Sequence, residues 1–142
     1  PVVPVSTLAA LAQGGMRLTD GQQDMAALDA RKAEVYRGCY PDTGNGTVAL
    51  QGAECVCAPA EVHCPAGDGW IGVGSGWEAY AEELMQRAGG RVVRVLPDFE
   101  PRATDVARLG SHDYRQGKMV GPEEAVPVYL RNNVAEVKKS LL

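Results

Sequence analysis

An acid, two bases and a second acid fall within six residues in Asp29-Ala30-Arg31-Lys32-Ala33-Glu34. Small and apolar residues lead into Asp29, and Val35 and Tyr36 open a β-prone run after Glu34. The pattern predicts a strand, a tight turn and a returning strand, with the charges at the tip. Such a tip either faces a ligand, with Asp29 as the contacting acid, or stands in solvent with Arg31 and Glu34 paired across the turn. The turn itself lacks the glycines that let a phosphate approach backbone closely.

Gly72-Val73-Gly74-Ser75-Gly76 is the second candidate, lying between a short apolar run and a helical pattern. A turn of this kind presents N–H groups to an anion, with Gly74 and Ser75 as the contacts. The dinucleotide fingerprint is not met, because Trp77 occupies the place of its last glycine. No Walker lysine is present. The plainer alternative is that the glycines let Trp77 pack beneath the strand end. Ser75 has a glycine on each side, not two residues away as in a nucleophile elbow. His63 and His112 lack an acid–nucleophile pattern, so no catalytic residue is assigned. Cys55, Cys57, His63 and Cys64 offer four soft ligands, but their spacing is not that of common zinc folds. The four cysteines are read as reduced thiols, and neither a metal nor a cofactor is expected.

These residues must be positioned by the elements around them. Ser6 is a good N-cap, and Leu8, Leu11 and Ala12 recur at helical spacing. Gly14-Gly15 is expected to end this helix after about two turns, with Met16 to Asp24 as a loop. Met25 to Asp29 is nearly all apolar, as in a strand covered on both faces. Val35 to Tyr40 is the second strand. The turn-rich Pro41 to Gly46 points to an antiparallel return, with Thr47 to Leu50 as third strand. Glu54 to Cys57 would continue or extend it, and Pro59 to Val62 reads as one helical turn. Trp70 to Gly74 is a short strand, after which Ser75 and Glu78 fit a capping box. The helix behind them puts Trp77, Tyr80, Ala81, Leu84 and Ala88 on one face. Arg91 to Leu96 is the next strand. Pro101 to Gln116 is a helix with Ala103, Val106, Ala107, Gly110 and Tyr114 on its apolar stripe. Pro127 to Arg131 is extended, and 132–142 is a tail.

The chain has 142 residues, 45% hydrophobic and 23% charged, which suits one domain with a real core. A net charge of -4 does not provide the basic field that direct nucleic-acid binding needs. No apolar run approaches the roughly 20 residues that cross a bilayer, so no membrane span is expected. Val2-Val3-Pro4-Val5 looks like the end of a strand, as though the chain opened in the middle of something larger.

Antiparallel strands followed by a β-α-β-α unit describe a mixed sheet with helices on its faces. This is the ribonuclease H-like plan of an actin-like ATPase lobe. The segments Val5-Ser6-Thr7-Leu8, Leu28 to Tyr36, Val73 to Trp77 and Pro127 to Ala135 resemble, in order and spacing, the C-terminal part of the bacterial TsaB (YeaZ) family. The resemblance spans nearly the whole chain. It implies that 1–24 is an inter-lobe helix and loop, that 25–142 is a C-terminal lobe, and that an N-terminal lobe of about a hundred residues is missing. It implies a cytoplasmic, non-catalytic scaffold subunit of the machinery that makes threonylcarbamoyladenosine in tRNA. The implied partners are a TsaD-like transferase and a TsaE-like ATPase, with a homodimer also in view. In an active actin-like lobe the first hairpin faces nucleotide phosphates, which leaves Asp29, Gly74 and Ser75 as a vestigial site. Arg31, Glu34, Tyr36, Trp77, Tyr129 and Arg131 are then interaction or structural positions, with Arg131 pairing an acid. The alternative is a nucleotide-binding or peptidase-like enzyme of the wider glycoprotease superfamily.

Overall fold

Strand β1 (Gln23–Arg31) is the spine of the molecule. Its side chains alternate between two covered faces. Met25 and Ala27 point into one apolar cluster, and Ala26 and Leu28 into the other. Strand β2 (Glu34–Tyr40) folds back antiparallel to β1, with Asp29 opposite Val35 and Asp24 opposite Tyr40. Strand β3 (Gln51–Cys57) adds antiparallel to β2. Strands β4 (Trp70–Val73) and β5 (Val92–Leu96) extend the other side of β1 in parallel. The five-stranded order is β3-β2-β1-β4-β5. A computed structural model describes residues 1–20 and 23–131, so the tail assigned to 132–142 lies outside the described residues.

Helices cover both faces. Helix α1 (Thr7–Thr19) and helix α4 (Ala103–Arg115) lie on one, where Leu8, Leu11, Met16 and Leu109 pack on Ala26, Tyr40 and Val73. The short α2 (Gly76–Ala79) and α3 (Ala81–Ala88) lie on the other, where Trp77, Leu84 and Ala88 meet Met25, Val35 and Trp70.

Ser6 caps α1 as expected, its Oγ accepting from Ala9 N at 3.3 Å. The helix does not stop at Gly14-Gly15. It runs on to Thr19 and ends at Asp20, which takes the left-handed conformation at φ 64°. The two glycines are contact points instead. A Cβ on Gly14 would lie 2.2 Å from the Phe99 ring, and one on Gly15 would lie 2.4 Å from Asp24 Oδ1. Tertiary packing overrides their local tendency to end a helix.

The third strand also lies later than expected. Thr47 and Val48 close a small loop through the Asp42–Val48 bridge and a Thr43 N–H to Thr47 carbonyl bond of 3.0 Å. Gln13 of α1 pins that loop, accepting from Val48 N and donating to the Gly46 carbonyl, each at 2.9 Å. The chain then returns along β2 from Gln51, and Glu54 to Cys57 falls inside β3.

The helix after β4 breaks at Tyr80, which adopts φ -130° between α2 and α3. The apolar stripe expected on α4 is rotated. Asp105 and Leu109 point inward, while Val106 and Tyr114 are exposed. Arg17 of α1 explains the rotation. It holds Asp105 in two-pronged fashion, Nε to Oδ1 at 3.0 Å and Nη2 to Oδ2 at 2.9 Å, and so draws a buried carboxylate to the core side.

Candidate functional site

The β1–β2 hairpin turns within Lys32 and Ala33, with Arg31 opposite Glu34 and a register shift between Asp29 and Arg31. Arg31, Lys32 and Ala33 all have positive φ, at 62°, 52° and 57°. Left-handed geometry at both central residues suits the twist of a two-residue hairpin. In non-glycine residues it is unfavourable by roughly 1–2 kcal/mol each, so the tip needs outside support.

Part of that support is local. Asp29 Oδ1 accepts the Arg31 N–H at 3.0 Å, and the Asp29 N–H donates to Ser75 Oγ at 3.0 Å. The larger part comes from far along the chain. Arg131 donates to the Ala30 carbonyl at 3.0 Å and to the Arg31 carbonyl at 3.3 Å. Its Nη2 also pairs with Glu34 Oε1 at 2.9 Å, and its guanidinium lies over the Tyr36 ring at 5.8 Å. Pairing of Glu34 with Arg31 across the turn was one of the two readings of the tip; the ion pair of Glu34 is with Arg131, which was expected to pair an acid. The left-handed turn leaves Arg31 exposed, and Arg131 reaches Glu34 from the side.

The glycine-rich turn after β4 behaves as packing. A Cβ on Gly72 would lie 2.6 Å from the Trp77 indole, so the bare backbone lets that ring lie beneath the strand. Trp77 is buried and donates its Nε1–H to the Met25 carbonyl at 3.0 Å. A Cβ on Gly74, at φ +113°, would lie 2.3 Å from the Ala27 carbonyl oxygen and 2.6 Å from Leu11 Cδ2. The Gly74 N–H is bonded to the Leu96 carbonyl at 3.1 Å. The capping box does not form: Ser75 makes no side-chain cap on α2, its backbone being helical at φ -64° and ψ -22° where a cap residue is extended, and its Oγ accepts the Asp29 N–H. The structure thus brings together Asp29, Ser75, Glu34, Tyr36 and Arg131. Tyr129 stands apart with 72% of its surface exposed.

Beside Ser75, at the C-terminal ends of the parallel strands, a crevice of about 560 Å³ is lined by Leu28, Ser75, Glu78, Asp98, Phe99 and Glu100. Open α/β sheets hold ligands at this position. On the far face, Arg37 donates to Cys39 Sγ at 3.0 Å, to Cys55 Sγ at 3.9 Å and to the His63 carbonyl at 2.7 Å. All four cysteines are free. Burial and the neighbouring Cys55 push the Cys57 thiol up to about 11, which keeps it protonated at neutral pH. Among the described residues no group of three or more His, Cys, Asp or Glu is arranged to hold a metal ion.

Sequence reasoning missed Asp24. It is fully buried, and neither carboxyl oxygen has a partner among the described residues. Burial, with the Asp42 charge second, pushes its pKa up to about 8. Tyr40 was read only as a strand residue. Its hydroxyl and that of Ser6 both donate to Glu54 Oε1, and burial, then that bond, raises its pKa. A fully apolar flank on one side of a lone acid was the available signal for Asp24; nothing local flagged Glu54.

Three antiparallel strands joined to a parallel β-α-β unit, with helices on both faces, define a ribonuclease H-like lobe of the actin-like class. No protein-family model matches the chain. It is 37% identical over 138 residues to the tRNA threonylcarbamoyladenosine biosynthesis protein TsaB of Escherichia coli K12, covering 95% of this chain and 59% of that protein. It is 29% identical over 144 residues to the Haemophilus influenzae protein of the same name, covering 94% and 58%. A crystal structure of a Pseudomonas aeruginosa protein, described as similar to peptidase YeaZ, superposes with a TM-score of 0.81 at 38% identity. The YeaZ structure from the same organism gives 0.81 at 37%, and each match covers 92% of this chain and 59% of the other. The chain is a relative of the bacterial TsaB (YeaZ) proteins and spans somewhat under three-fifths of their length.

Proposed function

We propose that this chain is the C-terminal lobe, residues 25–142 with 1–24 leading in, of a non-catalytic scaffold subunit for threonylcarbamoyladenosine formation in tRNA. In this reading it works in the cytoplasm by binding and activating a TsaD-like transferase, with a TsaE-like ATPase joining the complex. The observation that carries the reading is the identity to the E. coli TsaB protein along 95% of the chain. The state of the hairpin supports a degenerate site: Asp29 spends a carboxylate oxygen on its own turn, and Gly74 spends its N–H on Leu96. A net charge of -4 favours contact with proteins over direct contact with tRNA. Among the described residues no helix is long and apolar enough to cross a membrane.

The test mixes the natural protein that carries this chain with a TsaD-like transferase and its ATPase partner. A complex on gel filtration and restored tRNA modification are expected. Separate elution with unmodified tRNA would sink the proposal. The crevice beside Ser75 favours one alternative, a nucleotide-binding enzyme. Heat on titrating the protein alone with ATP and magnesium would support that alternative.

A further inference from the structure

Three consecutive non-glycine residues in left-handed backbone, Arg31, Lys32 and Ala33, form an uncommon tip. Strain of this kind persists where the surroundings over-determine it. Among the described residues, every hydrogen bond to this tip from beyond its own two strands comes through two side chains, Ser75 on Asp29 and Arg131 on Ala30, Arg31 and Glu34. Arg131 is the larger contributor, and its side chain is only 13% exposed. The segment that delivers it is otherwise thinly held. Val126, Val128 and Tyr129 are 67%, 82% and 72% exposed, and Leu130 is the neighbour that reaches the core.

We propose that Arg131 is a positioning residue that clamps the β1–β2 hairpin in its left-handed form, so that the segment 126–131 and the hairpin move as one coupled device. The coupling runs from the segment through the Arg131 guanidinium to the Ala30 and Arg31 carbonyls. It continues through Asp29 to Ser75 at the crevice wall. Withdrawing the segment releases the strained tip and with it the Asp29–Ser75 bond. A planar guanidinium can serve two carbonyls, a carboxylate and a ring face together, whereas an ammonium cannot.

The test combines hydrogen exchange with limited trypsin digestion, which reads the exposed Arg31 and Lys32. Arg131→Ala is expected to raise exchange in 29–36 and cleavage after Arg31 or Lys32 by about tenfold, with exchange in β4 and α3 unchanged. Arg131→Lys, which keeps the charge, is expected to behave in the same way and serves if the alanine variant does not fold. Adding Ala33→Gly to either variant relieves the left-handed strain and is expected to return the hairpin toward wild-type protection. Merely lost packing would not be rescued at Ala33, to which Arg131 makes no hydrogen bond. Wild-type exchange and cleavage in a folded Arg131 variant, or no rescue by Ala33→Gly, would overturn the proposal.

Discussion

Asp24 brings a carboxyl group into the packed space between β1 and α1, 2.4 Å from where a Gly15 Cβ would be. An unfolded aspartate titrates near 4, while burial pushes this one to about 8. Between those values the folded protein holds a proton that the unfolded chain has lost. Stability therefore falls as pH rises from about 4, and the full penalty is present above about 8. Below about 4 both states are protonated and the penalty vanishes. Each unit of separation is worth about 1.4 kcal/mol. Asp24→Asn removes the charge and keeps the shape. Its melting temperature is expected to exceed that of the wild type at pH 9 and to show no advantage at pH 4. Melting curves that shift equally at both pH values would refute this. The sequence hid the residue because the polar run before it resembled a loop, and burial of a lone acid leaves no mark on its neighbours in the chain.

At the scale of elements, a Gly-Gly pair has two physical meanings. By local preference it ends a helix; in a packed helix it marks where another element comes closest. Helix α1 uses the second meaning at Gly14, against Phe99 and Asp105 Oδ2. Gly14→Ala would add up to about 1 kcal/mol of helix propensity, yet overpacking of this kind is unfavourable by about 1–3 kcal/mol. The net expectation is a lower urea midpoint with an unchanged m-value. A raised midpoint would show that Phe99 yields freely. The same logic explains which elements were legible. β1, β2 and β4 were readable because their apolar runs and the Gly72–Trp77 pairing are written locally. The extension of α1, the late start of β3 and the rotation of α4 depend on Phe99, Gln13 and Arg17, each supplied from another part of the chain. The hairpin was placed correctly and Arg131 was expected to pair an acid, but which acid was not legible, because Arg131 lies 97 residues beyond Glu34.

Across the whole molecule, the order of strands and helices followed from periodicity and turn residues alone, since short connections leave few topologies open. The candidate site was less legible: Asp29 and Ser75 were singled out, but the bond between them and the grip of Arg131 arise only once the sheet is assembled. An open five-stranded sheet also has two borders. Along one of them, among the described residues, β5 is hydrogen-bonded on a single side, and Val93 is 65% exposed there. Val92-Val93-Arg94-Val95-Leu96 is a β-prone apolar stretch interrupted by one charge. A border strand of this composition is a template for fibril growth, and a lone cation within it acts as a gatekeeper. Arg94→Val is expected to leave the monomer folded and to shorten the lag before aggregation on mild heating, followed by light scattering. An unchanged lag would place the safeguard elsewhere on the border. If the lag shortens, Arg94 owes its position to solubility, a selection pressure separate from anything the hairpin or the crevice does.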